Sequence, residues 1–169
     1  LQLGAGATTP EIRNAGTIQA TGGSSATSVS TGVLIGAGAN LPTVRNSGTI
    51  EAKAGGNDAA AFAIVDKSGT VALVENSGTI LATGALGTSA RNVAIDLSAN
   101  NSGAVIRQTA VASTAKAPSI TGDVRFGGGD DLFEIADGKV TGNSSFGTGD
   151  NQLTLSGDAT YTGKASFAG

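Results

Sequence analysis

The sequence predicts an all-β protein, a parallel β-helix (β-solenoid) in which each sequence repeat forms one coil. Three observations predict this fold. Ala, Gly, Thr and Ser fill 91 of the 169 positions and aromatic residues only 4%, so bulky side chains are too few for a thick globular core but sufficient for a thin solenoid. A unit of about 31 residues recurs along the chain, as repeat architectures require. β-Branched residues alternate with Gly-rich turns, which favours strands over helices.

The first block, residues 1–118, contains four copies of the unit. The segments 1–22, 33–55, 71–84 and 104–114 align at successive offsets of 32, 30 and 32 residues, and the last copy is degenerate. Because each copy forms one coil, equivalent apolar residues should stack in columns, with parallel strands about 4.8 Å apart. The predicted columns are Leu3, Ile35, Val65 and Leu97; Ile12, Val44, Val74 and Ile106; and Ile18, Ile50, Ile80 and Val111.

Within each copy, two short strands flank a turn. In the second copy Val44 and Asn46 point inward, because strand side chains alternate between the two faces. After the turn, Ile50 and Ala52 point inward again. The intervening Asn-Ser-Gly is typical of a turn, since Asn and Gly adopt left-handed backbone conformations that other residues avoid.

The second block, residues 119–169, has a shorter unit. Units beginning at Ile120, Val140 and Tyr161 are offset by 20 and 21 residues. We expect this block to continue the same stack, with each coil shortened by smaller loops or by the loss of one strand. Its predicted aromatic column is Phe126, Phe146 and Phe167.

A column of amide side chains runs through the first block. It consists of Asn14, Asn46, Asn76 and Gln108. One interpretation is a polar row that binds a ligand. The favoured interpretation is an asparagine ladder, in which stacked amides hydrogen-bond to one another and to the backbone at an inward turn. The Gln in the degenerate copy keeps the amide group, which suits a ladder.

Acidic turns in the second block make calcium a candidate cofactor. In FGGGDDLFEI, Gly127, Gly129, Asp131 and Phe133 match four positions of the calcium-binding nonapeptide G-G-x-G-x-D-x-U-x. The next unit has Asn151 at the position of the ligand Asp, and calcium requires six to eight oxygen ligands. The alternative is therefore a set of solvated turns without an ion. The calcium candidates are Asp130, Asp131 and Asp150.

The composition excludes several classes of function. Without His or Cys, the chain can form no Ser-His-Asp or Cys-His nucleophile and no zinc site of His or Cys ligands. A net charge of −3 argues against nucleic-acid binding. No apolar run of about 18 residues occurs, so we expect no membrane span in this chain. We expect no enzyme activity and no cofactor other than calcium.

The remaining charged residues suggest no catalytic pair. Asp130 and Asp131 are adjacent, and on a strand they would face opposite sides, whereas glycosidase carboxylates must converge on one sugar. Arg13, Arg45 and Arg107 fall in one outward column with Glu75 between them. We interpret this column as a surface charge ladder rather than an anion site.

The repeats IRNAGTIQA, VRNSGTIEA and VENSGTILA resemble the passenger regions of Gram-negative autotransporters, the type V secretion class. The second block resembles the distal passenger repeats of that class, in which G-x-D-x-L-x-L follows a Gly-rich turn. The resemblance implies a right-handed parallel β-helix, located at the outer-membrane surface or in the extracellular space. It does not imply one activity, because such passengers include adhesins, proteases, esterases and toxins.

Three functional hypotheses follow. The leading one is a non-catalytic structural or adhesive surface protein, with host or environmental glycans or proteins as partners. The second is a carbohydrate-active β-helix with active residues on the variable loops at 23–32, 55–62 or 84–92. The third is a calcium-dependent module similar to repeats-in-toxin proteins.

The two ends of the sequence lie inside repeats. Leu1 aligns with Val33 within a strand, and Gly169 falls partway through the third short unit. Solenoid ends with unpaired strand edges need caps to remain soluble monomers. We therefore expect either a portion of a longer passenger or copies that associate head to tail, which would generate a filament.

Overall fold

Three parallel β-sheets wrap around one narrow core in the computed structural model. The structure describes residues 1–23, 25, 27–56, 58–86 and 91–168, and these form 19 strands and no helix. Each turn of the chain adds one strand to each sheet in the same order, and every pairing between named strands is parallel. The predicted all-β parallel β-helix is therefore confirmed.

The sheets are numbered here in the order in which the chain enters them. Sheet 1 contains seven strands: β1 (Gln2–Leu3), β4 (Val29–Ile35), β7 (Ala60–Asp66), β10 (Asn92–Asp96), β13 (Asp123–Arg125), β16 (Ser144–Phe146) and β19 (Ala165–Phe167). Sheet 2 contains six: β2 (Glu11–Asn14), β5 (Thr43–Asn46), β8 (Leu73–Asn76), β11 (Val105–Gln108), β14 (Leu132–Ile135) and β17 (Gln152–Leu155). Sheet 3 contains six: β3 (Thr17–Thr21), β6 (Thr49–Lys53), β9 (Thr79–Thr83), β12 (Ser119–Thr121), β15 (Lys139–Thr141) and β18 (Thr160–Thr162). At about 4.8 Å per strand, the stack is about 29 Å long.

The core is a set of stacked apolar columns. On sheet 2, Ile12 pairs with Val44, and the column continues in register through the third, fourth, fifth and sixth coils. Its members from the second to the fifth coil are fully buried: Val44, Val74, Ile106 and Phe133. Burial of such side chains contributes about 1.5–3 kcal/mol each, which is how a chain with few large residues stabilises a fold.

One predicted column is wrong by a single residue. In sheet 1, Ile35 pairs with Asp66, whereas Val65 pairs with Leu34. A one-residue slip moves a side chain to the opposite face, so the carboxylate of Asp66 occupies the position that the repeat alignment gave to Val65. Asp66 is 2% exposed and is tolerated because its oxygens accept hydrogen bonds from the backbone N–H groups of Ser68, Gly69 and Val71 at 2.8, 3.2 and 2.9 Å.

A second predicted column is wrong in the fourth coil. Ile80 pairs with Ile120, not with Val111, which lies in the connection between β11 and β12 and is only partly buried. The segment 104–114 therefore supplies only the sheet 2 strand of this coil, and an insertion separates it from the sheet 3 strand. The boundary between residues 118 and 119 thus falls within the fourth coil.

The second block shortens its coils through both its strands and its connections. Sheet 1 strands fall from seven residues in β4 and β7 to three in the last three coils, and sheet 3 strands fall from five residues to three. All three sheets continue into it, with β12 pairing to β9 on one side and to β15 on the other. The connection from sheet 3 to sheet 1 spans 22–28, 54–59 and 84–91 in the first three coils. In later coils it is reduced to Gly122, then to 142–143 and 163–164. No sheet loses its strand in these coils, so shorter connections together with shorter strands account for the smaller unit.

Candidate functional site

The amide column forms a continuous hydrogen-bonded ladder along the inner corner between sheets 2 and 3. The Nδ2 of Asn14 donates to Oδ1 of Asn46 at 2.8 Å, and Asn46 donates to Asn76 at 2.9 Å. Asn76 then donates to Oε1 of Gln108 at 3.3 Å, and Gln108 donates to the carbonyl of Asp137 at 2.7 Å. Asn46, Asn76 and Gln108 are almost completely buried.

The same amides bind the backbone of the turn that follows them. Asn46 Nδ2 lies 3.2 Å from the carbonyl of Gly48 and 3.1 Å from that of Thr79 in the next coil. Asn14 and Asn76 repeat this arrangement. These buried amides supply hydrogen-bond donors to the backbone carbonyls of the turn and of the next coil. The column therefore holds the coils together, and its amides do not face solvent.

The aromatic column is a face-to-face stack in sheet 1. The ring centroids of Phe126 and Phe146 are 4.7 Å apart, and those of Phe146 and Phe167 are 4.5 Å apart, with interplanar angles of 8° and 6°. Phe126 and Phe146 are each 4% exposed, whereas Phe167 is 51% exposed. Phe133 of sheet 2 contacts this stack from the side, with its ring 6.0 Å from that of Phe126.

The acidic turns bind backbone N–H groups of neighbouring coils. The Oδ1 of Asp131 accepts from the N–H of Ala104 at 2.8 Å, and the N–H of Asp131 donates to Oδ1 of Asn151 at 2.9 Å. In the same way, Asp130 accepts from the N–H of Asp150 at 2.9 Å. These side chains therefore act as caps between coils.

Asp131 carries an unusual carboxyl group. It is 2% exposed, and its Oδ2 is buried without a hydrogen-bond partner. Burial raises the pKa of Asp131, the hydrogen bond from Ala104 opposes this rise, and the charge of Asp130 adds to it. At the equivalent position, Asn151 uses its Nδ2 to donate to the carbonyl of Gly147 at 2.8 Å, a bond that an ionised Asp cannot make.

The calcium candidates are not assembled as a metal site. Asp130 and Asp150 are exposed, whereas Asp131 is buried. Among the described residues no three acidic side chains are grouped so that they could hold a metal ion. Asp131, at the ligand position of the calcium motif, accepts a hydrogen bond from the backbone N–H of Ala104, and calcium binding stays a prediction.

The outer face of sheet 2 carries a charge ladder. Its column, read along the stack, is Arg13, Arg45, Glu75, Arg107 and Glu134. Arg45 lies between Glu11 and Glu75 and forms ion pairs with both. The Arg13 guanidinium, with a smaller contribution from Arg45, holds the pKa of Glu11 below its usual value. A shallow groove of about 400 Å³ runs beside this ladder, and its arginines are already paired with glutamates, which favours the surface-ladder interpretation.

The variable connections between sheets 3 and 1 are only partly described. The predicted active loops at 23–32, 55–62 and 84–92 include residues 24, 26, 57 and 87–90, which lie outside the described residues. In the described parts, Ser28 Oγ donates to the carbonyl of Gly23 at 2.9 Å, and Asn92 exchanges hydrogen bonds with the backbone of Ala85.

Sequence reasoning missed one surface feature, the connection at 109–118. Alignment treated its first part as a degenerate repeat, although the turn at the equivalent corner takes only two residues in each of the first three coils. The signal was present in TAVASTAKAP, an Ala-, Ser- and Thr-rich run ending in Pro118 just before a strand. Residues of this connection line a cleft of about 590 Å³.

Comparison of the chain with models of known protein families, with curated proteins and with solved structures finds no match. The resemblance to autotransporter passengers therefore stays a prediction based on the repeats. In the part of the chain that the structure describes, no helix has the length and apolar character needed to span a membrane.

Proposed function

We propose that the protein is a non-catalytic structural or adhesive protein of the cell surface or extracellular space, an autotransporter-like passenger or fibre subunit. The observation that carries this proposal is that the repeated polar side chains form hydrogen bonds within the stack. The amide ladder and the Asp and Asn caps bind one coil to the next. Variation between coils is concentrated in connections at the corners, so the stack serves as a rigid support for surface loops.

Binding to surfaces tests this proposal. The labelled chain is applied to an array of host and environmental glycans and to immobilised surface proteins, alongside a polysaccharide-cleavage assay. Binding without turnover supports an adhesive role. Turnover that is lost with Asp130→Asn or Asp131→Asn would instead favour the carbohydrate-active enzyme, and binding to neither class of surface would leave only the structural role.

Calcium dependence is tested separately. A repeats-in-toxin-like module should melt at a much lower temperature after chelation, because metal binding contributes directly to folding. We expect the melting temperature to be the same with calcium and with chelator, since the candidate carboxylates already accept hydrogen bonds from the backbone.

Head-to-tail self-association remains part of the proposal. Light scattering and electron microscopy of the 169-residue chain test it over a wide range of concentrations. Long rods one β-helix wide would support a fibre subunit, and stable monomers at every concentration would contradict it.

A further inference from the structure

The corner between sheets 2 and 3 changes abruptly in the fourth coil. In the first three coils the chain turns this corner in two residues, as in Ser47–Gly48 and Ser77–Gly78. In the fourth coil it takes residues 109–118, called the corner loop below, before Ser119 pairs with Thr79 in the usual register. The strand pairing is the same on both sides of the insertion, so the stack does not need the corner loop.

The corner loop is nevertheless held in place. The N–H of Thr109 donates to the carbonyl of Asn76 at 2.9 Å, and the N–H of Val111 donates to Oδ2 of Asp137 at 3.1 Å. A turn within the loop joins Ala115 N–H to the carbonyl of Ala112 at 2.8 Å. Ordering a segment of this length costs about 1–2 kcal/mol per residue in backbone entropy. An ordered insertion that packing does not require is a candidate for binding.

The loop forms one wall of two clefts. The cleft on its C-terminal side, called the corner cleft, has a volume of about 590 Å³. Its side chains include Val111, Lys116, Pro118, Asp137, Lys139 and Asp158. A second cleft of about 290 Å³ lies on the other side, between the loop and the turns of the second and third coils. The larger volume falls within the range of about 300–1,000 Å³ typical of ligand sites.

The corner cleft is lined by polar side chains whose charges cancel. The side chains of Lys116, Lys139 and Asp158 are exposed and form no hydrogen bond or ion pair with any described residue. Asp137 is already bonded to the loop and to Gly138 N–H. Two lysines and two aspartates leave no net charge in the cleft, so it attracts neither a polyanion nor a polycation.

These features select a class of ligand. An extended peptide would add to an exposed sheet edge or fill deep side-chain pockets, but β12 and β15, which border the cleft, are each paired on both sides. A sugar offers hydroxyl groups that both donate and accept, together with C–H faces that can pack on the partly buried Val111 and the exposed loop alanines. We infer that the corner cleft binds a neutral oligosaccharide. This inference rests on the adhesive function proposed above and locates its binding site.

The structure supplies a variant that should remove the site and keep the fold. Replacing residues 109–118 with Ser-Gly recreates the turn of the second and third coils. Lys116→Ala combined with Asp158→Ala removes the polar groups without changing the loop length, and Lys53→Ala on the exposed end of β6 is the matched surface control. Circular dichroism and thermal melting establish that each variant is folded.

The binding assay uses three sets of probes: neutral hexose oligosaccharides, the corresponding uronic-acid oligosaccharides and a peptide library. We expect the unmodified chain to bind neutral oligosaccharides, the Ser-Gly and double-alanine variants to bind at least tenfold more weakly, and Lys53→Ala to bind normally. If the Ser-Gly and double-alanine variants both bind neutral sugars normally, this inference is overturned but the adhesive function is not. Preference for uronic acids or peptides, or no binding to the three sets, would also overturn it. If the Ser-Gly variant fails to fold, the double-alanine variant decides the result.

Discussion

Asn46 donates a hydrogen bond to Asn76 across 2.9 Å, although the two residues are 30 positions apart in the chain. The bond exists because each stands at the last position of its sheet 2 strand, and those strands pair residue for residue. The side chain of Asn46 also reaches two backbone carbonyls. One amide thus ties two coils and the turn between them together.

Asn46→Ala should destabilise the protein by about 2 kcal/mol, because it removes a buried amide that hydrogen-bonds to Asn14, Asn76 and two backbone carbonyls. Urea denaturation measures the change. Asn101→Ala is the matched control, since Asn101 is exposed and its amide makes only a 3.4 Å contact to Ala99; we expect a change within about 0.5 kcal/mol. Equal losses in both variants would contradict a structural ladder.

Gly127 and Gly128 should respond very differently to the same substitution. A Cβ on Gly127 would lie 1.8 Å from the carbonyl oxygen of Asn100, whereas one on Gly128 would meet the flexible side chain of Asn101 at 3.2 Å. Neither residue has a positive φ, so the difference is steric. We expect Gly127→Ala to lower the free energy of unfolding by more than about 2 kcal/mol and Gly128→Ala to change it by less than about 1 kcal/mol. Similar effects in thermal melting would refute the close approach of these coils.

The stability that the aromatic stack contributes should depend mainly on its central ring. Phe146 lies between Phe126 and Phe167 and is buried, so Phe146→Ala should cost about 3–5 kcal/mol. Phe167→Ala should cost less, because half of that ring is exposed in this chain. Chemical denaturation of the two variants tests the order, and a larger loss from Phe167→Ala would show that the stack is not centred on Phe146.

Asp131 should make stability depend on pH. Because burial raises the pKa of its carboxyl group, the folded state binds this proton more tightly than the unfolded state, in which the pKa is about 3.9. The stabilising contribution of the protonated form is therefore complete below the unfolded pKa and is lost as the pH rises through the folded pKa. Stability should fall over that window and remain lower at neutral pH.

Asp131→Asn should remove this pH dependence and stabilise the protein by about 1 kcal/mol at pH 7. The amide oxygen can still accept from Ala104, and the new N–H group can donate to the carbonyl of Gly127, as Asn151 does to Gly147. Melting temperatures from pH 3 to 8 test this, with the exposed Asp158→Asn as control. Parallel pH profiles for the unmodified chain and Asp131→Asn would contradict Asp131 as the origin of this pH dependence.

The repeated pattern was sufficient to predict the sheet 2 core. The strands there have the same length in every coil, and a polar or charged residue always separates the inward apolar residue from the inward amide in the first four coils. Strand alternation and parallel stacking then leave one register. The positions of Ile12, Asn14 and their equivalents follow from these two rules.

The sequence by itself determined the fold class, the amide and aromatic columns and the continuity of the two blocks, because stacked coils place residues at equal offsets side by side. Only the tertiary structure decided where local hydrogen bonds override hydropathy. Backbone N–H groups let Asp66 occupy a core position, and the contact with Ala104 gives Asp131 a structural role that a calcium motif did not suggest. The register of the fourth coil was also decided by the tertiary structure. The composition of the corner loop marks it as a connection, but only the pairing of Ile120 with Ile80 shows that the insertion leaves the strand register unchanged.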